Sequence, residues 1–419
     1  MEVYRIHMGK AKCAVDLGDG SERGEYVDQD YILAKMGRPH RSISLMYCYY
    51  PLDEGWPGRA SVVHASPDVS FAWDYPYDDY FTYKGGLGGS TDGEPFNYMR
   101  EIRQHGQDVS LTLTIDPHVS DEHLAAIGED LKSFGRVFLR INHEATGNWF
   151  SFNKRCTYQE VADFFVRASR IIKEHAPNVQ TMICIGGIED LSKEEMEKEA
   201  EFAQTIPAAD IWSVDKYMAL HWGWPYDVAE HGGTTHSRGT VADTYEKTKR
   251  SFERFRYLNG GVEKPMTMAE FNADGDVTGP YEQADMVKEF CDTLEREQAD
   301  WFSAFTFYQF RDRGRLGLEI EDPNNANVGI AQPVLDTYKE IIQRDWFRPQ
   351  ITRQAGLVPA ADGKAGRRGT AAGDTPLEQL RGRGRSGNPA AFREEPHILR
   401  TDLYRGKQPD AGTERQVVL

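Results

Sequence analysis

The sequence predicts an α/β chain: a closed (β/α)8 TIM barrel followed by a disordered C-terminal tail. Three observations carry that reading. Short apolar runs alternate with longer amphipathic stretches, as repeated strand–helix units require. Unusual polar residues fall at the carboxyl ends of the apolar runs, where a barrel collects its chemistry. The composition also changes abruptly near residue 348.

The strands are expected at 42–48, 108–115, 136–141, 180–185, 211–214, 265–269 and 302–307, with an eighth near 4–7. Helices are expected between them at 122–134, 158–174, 193–204, 242–257, 281–297 and 331–343. The stretch from Tyr158 shows the logic, because Val161, Phe164, Phe165, Ala168 and Ile171 or Ile172 recur at three- and four-residue steps and make one apolar face. Thr157 is its expected N-cap, with Glu160 completing a capping box. Strand–helix alternation alone would also suit an open doubly wound sheet; the position of the polar residues favours closure.

Residues 1–347 are read as one catalytic barrel, since such barrels routinely fill about 250 to 350 residues. Residues 348–419 are rich in Arg, Gly, Ala and Pro and have too few apolar groups to offset the entropy of ordering, so they read as a disordered tail. Basic residues outnumber acidic ones there, whereas the body is strongly acidic.

The whole chain has a formal net charge of -17, which argues against a nucleic-acid partner, because phosphate tracking needs a basic field. Aromatic residues make up 11%, enough to furnish a sugar-binding cleft as well as a core. The 5 cysteines lack metal-ligand or disulfide spacing and read as buried thiols. No apolar run is long enough for a membrane span, so no membrane partner is expected. No leader follows Met1, so the chain reads as cytoplasmic as written, or secreted if its start is trimmed.

Two segments carry the chemistry. RVFLRINHEATGNWF, from Arg136 to Phe150, is an apolar strand that runs into Asn142, His143 and Glu144, followed by aromatic residues. PMTMAEFNAD, from Pro265, is a second strand ending on Glu270. Two strands intervene, which places Glu144 on the fourth strand and Glu270 on the seventh, facing across a barrel mouth. Two carboxyl groups about 5 to 5.5 Å apart support double displacement, with Glu270 as nucleophile and Glu144 as acid/base. The acid needs a carboxyl kept protonated by burial and by its negative partner. His143, Trp149 and Phe150 are expected to enclose it.

At these residues the chain resembles the large retaining-glycosidase clan with its acid/base after strand four and its nucleophile after strand seven. His143 before the acid, and the Gly-Asn-Trp-Phe that follows, resemble glycoside hydrolase family 26. The resemblance implies an endo-acting β-glycanase, with β-mannan, mixed-linkage β-glucan or xylan as substrate. It also implies that Tyr217 hydrogen-bonds the nucleophile, with Asp215 just before it. The family's Trp at the end of strand eight is missing from FTFYQFRDR, so Tyr308 or Phe310 would replace it as sugar platform. Asn142, Trp149, Trp222 and Trp224 complete the expected substrate contacts. An exo-acting β-glycosidase, or a barrel that only binds carbohydrate, remain alternatives.

Other motifs are set aside. His143-Glu144 lacks the second histidine of a zinc-protease HExxH, and no metal or cofactor is expected. Gly85, Gly86, Gly88 and Gly89 lack a following GK[ST] and read as a flexible loop at the cleft rim. The acidic stretches around Asp16 to Asp30 and Glu319 to Asp322 lack EF-hand spacing and read as solvated faces.

Overall fold

The computed structural model describes residues 3–18, 26–57, 81–147, 150–186, 193–221, 236–312 and 314–354. Eight parallel strands form the barrel: β1 (Ala14–Gly18), β2 (Ser42–Tyr49), β3 (Asp108–Ile115), β4 (Val137–Ile141), β5 (Val179–Cys184), β6 (Ile211–Tyr217), β7 (Met266–Asn272) and β8 (Phe302–Phe307). Each pairs with the next, and β8 pairs with β1 through Ala304–Ala14 to Phe307–Leu17, which closes the sheet. Glu144 therefore follows strand four and Glu270 lies near the carboxyl end of strand seven, as the sequence order implies.

The eighth strand is where sequence reading and structure part. Residues 4–7 do not enter the barrel; Val3–His7 pairs antiparallel with Gln350–Gln354 in a separate two-stranded ribbon. The first barrel strand is instead Ala14–Gly18, whose Asp16 and closing Gly make it look like loop. Asp16 is buried, and its carboxylate takes the Arg41 guanidinium and the Ser42 N–H, which is why a charge is tolerated there. Gln350–Gln354 lies inside the stretch that composition sets apart from residue 348. The rest of that stretch, 355–419, lies outside the described residues.

The helices fall where the apolar periodicity puts them. Tyr158–His175 starts at Thr157, whose side chain accepts from Glu160 N while the Glu160 side chain accepts from Thr157 N. Its buried face is Val161, Phe164, Phe165, Ala168, Ile171 and Ile172. Among the described residues no helix is long and apolar enough to cross a membrane. Four of the cysteines are buried and Cys156 is half-buried.

Alternation along the strands separates two interiors. Val137, Leu139 and Ile141 of β4 and Trp212 and Val214 of β6 join the large apolar cluster between sheet and helices. Phe138, Met182, Ile211 and Ala269 form a small cluster of their own, contributed by β4, β5, β6 and β7, which fills the barrel lumen. Arg140 follows Phe138 by two residues, and Asp215 follows Ile211 by four, so both rise above that plug toward the carboxyl end.

Two further expectations need correction. Glu319 is fully buried rather than solvated: Lys35 pairs with it at 2.6 Å and the Tyr31 hydroxyl donates to it at 3.0 Å. It belongs to a small sheet of Arg311–Asp312, Glu319–Asp322 and Asn325–Ala331 inserted after β8. The glycine loop is docked: Gly86 N donates to Asp130 at 2.7 Å, Leu87 N donates to the Tyr49 hydroxyl at 3.2 Å, and a β-carbon at Gly86 would strike the Tyr49 ring. Close approach and a φ of 80° together explain glycine at that position.

Candidate active site

The site is built on the carboxyl ends of β4, β6 and β7. Arg140, 1% exposed, stands at its centre. Its Nε donates to Thr112 Oγ1 at 2.7 Å, Nη1 to both Asp215 oxygens at 2.9 and 3.1 Å, and Nη2 to Glu270 Oε1 at 2.7 Å. The Tyr217 hydroxyl donates to Glu270 Oε2 at 2.7 Å. Both oxygens of Glu270 are thereby held, one by a donor from β4 across the barrel and one by a donor from adjacent β6, which sets the plane of its carboxylate.

Local backbone features make this arrangement possible. The register between β6 and β7 slips between Met268 and Glu270, so that Met268 faces Val214 and Glu270 faces Asp215. The extra residue, Ala269, points into the lumen cluster. In a regular strand its neighbour would then point outward to the helices; the bulge turns Glu270 inward as well. After β4, Asn142 and Glu144 both have left-handed backbone, with φ of 48° and 50°. Each costs about 1–2 kcal/mol for a residue with a β-carbon, and such strain concentrates at functional sites.

One carboxylate oxygen each from Glu144, Asp215 and Glu270 lies within 4.8 Å of the others. Glu144, Asp215 and Glu270 therefore cluster at the carboxyl end of the barrel. Three such oxygens could also surround a hard cation; Arg140 already supplies a positive charge to two of them.

Burial drives the electrostatics. It raises the Asp215 carboxyl to about 7, against the pull of Arg140 and with the push of Glu270. Burial works against the Arg140 charge, but Asp215 and Glu270 outweigh it and keep the guanidinium ionised. Burial and the Glu270 charge push the Tyr217 hydroxyl well above its usual range, which keeps it a donor. Burial, aided by Arg140, pushes His143 well below the usual imidazole range, so its ring is neutral.

The remaining expected residues separate into three groups. Asn142 and His143 are each 1% exposed. The Asn142 amide accepts from Ile115 N at 2.6 Å and donates to Ile115 O at 3.1 Å, and so prolongs the β3–β4 pairing. His143 has its Nε2 4.0 Å from Glu270 Oε1 and its ring 4.4 Å from that of Phe150, which stacks on Phe152. Tyr308 is partly open, with its ring edge-on to Tyr217 at 6.0 Å, whereas Phe310 is buried under Tyr31. Trp149, Trp222 and Trp224 lie outside the described residues.

Sequence reasoning passed over Arg140 as a member of the site and gave Asp215 no role. Arg140 had a legible signal: a charged residue inside VFLRI, two positions from Phe138 and so on the same strand face. A guanidinium there must be buried, and a buried guanidinium needs carboxylates.

No family model matches the chain, and no curated protein matches it in sequence. Solved structures do resemble it. A glucosidase from Croceicoccus marinus aligns over 84% of this chain and 73% of its own at 10% identity, with a TM-score of 0.50. A family 51 α-L-arabinofuranosidase from Bifidobacterium longum aligns over 84% and 76% at 12% identity, with a TM-score of 0.48. A GH26 β-mannanase from Bacteroides ovatus aligns over 81% and 91% at 10% identity, also with a TM-score of 0.48. These structures are glycoside hydrolases, and at such identities the likeness is one of fold: the chain has the closed parallel barrel surrounded by helices that is the TIM barrel.

Proposed function

We propose that the chain is a retaining glycoside hydrolase, with Glu270 as nucleophile and Glu144 as acid/base. The observation that carries this is that one oxygen of Glu144, just after β4, lies within 4.8 Å of one oxygen of Glu270, on β7, close enough for both to serve one anomeric carbon, as double displacement needs. In the first step a Glu270 oxygen bonds to the anomeric carbon while the glycosidic C–O bond breaks, and Glu144 gives its proton to the departing oxygen. In the second, water bonds to the same carbon, its proton passes to Glu144, and the ester bond to Glu270 breaks. Two inversions leave the configuration retained.

Arg140 and Tyr217 orient the nucleophile and hold its charge, which leaves the attacking lone pair as the part of the carboxylate free to reach a sugar. Buried Asn142, His143 and Phe150 shape and dry the floor, while Tyr308 and the indoles of Trp149, Trp222 and Trp224 offer faces for pyranose rings. The substrate proposed is a β-linked polysaccharide cleaved internally, β-mannan before mixed-linkage β-glucan or xylan, on the strength of the RINHEATGNWF resemblance. The reaction as written uses no cofactor.

The test is reducing-sugar release from mannan, barley-type glucan and xylan, with anomeric NMR of the first product. Wild type should release product of retained configuration from one of them, and Glu270→Ala should lose about 10⁴-fold or more in rate. If folded wild type leaves every substrate intact while still binding one, the barrel is a carbohydrate-binding protein and the enzymatic reading fails. Product of inverted configuration would sink the double displacement.

A further inference from the structure

A second concave site lies at the opposite end of the barrel. A cavity of about 910 Å³ is lined by segments that precede β1 and β2 and by the chain after the last helix, Pro333–Ile341. These are amino-terminal connections, remote in topology from the carboxylates above. In a chain of net charge -17 its lining is unusual: Lys10, Lys12, Arg38 and Arg348 against Asp345 alone.

Two of these cations are compensated. Lys12 lies 3.5 Å from Asp300, and Arg348 lies 2.8 Å from Asp345. Arg38 and Lys10 have no carboxylate partner among the described residues. Arg38 is only 8% exposed, and its guanidinium donates to two backbone carbonyls: Nη1 to Ile342 O and Nε to Pro39 O. Ile342 caps the end of Pro333–Ile341, so the negative end of that helix contributes about half a charge at most. Nη2 has no acceptor among the described residues. Burial and the neighbouring Arg348 both work against the Arg38 charge. Trp346, also in the lining, has its indole N–H buried without an acceptor. A buried guanidinium without a carboxylate partner, in a cavity that also holds Lys10, is the arrangement a bound anion resolves.

We propose that this cavity binds a small phosphate-bearing organic molecule. A phosphate monoester carries about -1.5 to -2 charge near neutral pH, which matches the two uncompensated cations, whereas a carboxylate would neutralise only one. The planar Arg38 fork and the Lys10 point charge are the pair of donors that phosphate oxygens accept from. The cavity volume is that of a site for an organic ligand and far exceeds one inorganic ion. This assignment is independent of the hydrolase reading.

The experiment is titration calorimetry of the full chain at low ionic strength with phenyl phosphate, benzoate and inorganic phosphate as probes. Phenyl phosphate should bind about tenfold or more tightly than either of the others, and Lys10→Glu should weaken it by about tenfold or more. Lys10 is exposed, so that variant should fold; Arg38→Gln, with its fold checked by circular dichroism, should abolish binding. Absence of phenyl phosphate binding to wild type, equal affinity for benzoate or inorganic phosphate, or unchanged affinity in Lys10→Glu would each overturn the proposal.

Discussion

The two ends of this barrel both bury charge, and they do so in opposite proportions. At the carboxyl end one guanidinium, Arg140, serves Asp215 and Glu270, with Glu144 close by. At the amino end cations outnumber carboxylates: Arg41 pairs with Asp16, while Asp108 takes both Arg103, at 2.7 Å, and Arg136, whose Nε lies 2.8 Å from Asp108 Oδ2. Arg41 and Arg136 also lie over the Phe138 ring of the lumen plug, at 5.0 and 5.3 Å. An excess of carboxylate over cation favours a bound proton. The raised Asp215 carboxyl is the consequence of burial first and of the Glu270 charge second.

The largest effect that separates the two ends should come from Glu144→Ala. It should lose about 10²–10⁴-fold on polysaccharide but much less on activated aryl glycosides, which need little protonation to leave. Rates on both classes, measured after confirming that the wild type accepts both, would show it; equal losses would remove Glu144 from the acid role.

The next effect is on stability. Arg140→Met strands two buried carboxylates and should cost about 3–5 kcal/mol by urea unfolding. Arg41→Met should cost less, because it strands one buried carboxylate rather than two, and Asp16 keeps the Ser42 N–H. Equal costs would break the contrast between the two ends.

A pH profile sharpens the same contrast. The Asp215 carboxyl is raised on folding, so the native state binds its proton more tightly than the unfolded chain does. That contribution to stability is fully present below the ordinary aspartate range and is lost as pH rises toward about 7. Asp215→Asn removes the titration, and the fall in Tm across that window should flatten even if the variant is less stable throughout. A fall of unchanged steepness would assign it to another group.

The smallest effect concerns the chain's end. Removal of 355–419 should leave Tm nearly unchanged, while removal from Gln350 also deletes the strand that pairs with Val3–His7 and should lower it by a few degrees, as about 1 kcal/mol would. Two equal melting temperatures would mean the ribbon contributes nothing.

Legibility in the sequence followed the physics of each element. The capping box at Thr157 and the apolar face behind it were readable because both depend on residues within one or two helical turns. Strands such as Asp108–Ile115, DVSLTLTI, were readable because their outward residues are uniformly apolar. The first barrel strand was not: AVDLG carries a charge that only Arg41, 25 residues further on, makes tolerable. Glu319 hid for the same reason, since Lys35 and Tyr31 meet it from nearly 300 positions away. In the candidate site, Glu144 and Glu270 stood out because each ends an apolar run, and Arg140 was overlooked because it sits within one.

The sequence by itself determined the strand–helix order, the seven strands from Ser42 onward and the two glutamates at the ends of the fourth and seventh, since each is written in the pattern of neighbouring residues. Only the tertiary structure decided which segment closes the barrel, how Glu270 turns inward beside Ala269, and that Arg140 binds Asp215 and Glu270 together. Those outcomes depend on charges and strands brought together from distant parts of the chain, and a burial cost carried by one residue is met by partners that local pattern does not reveal.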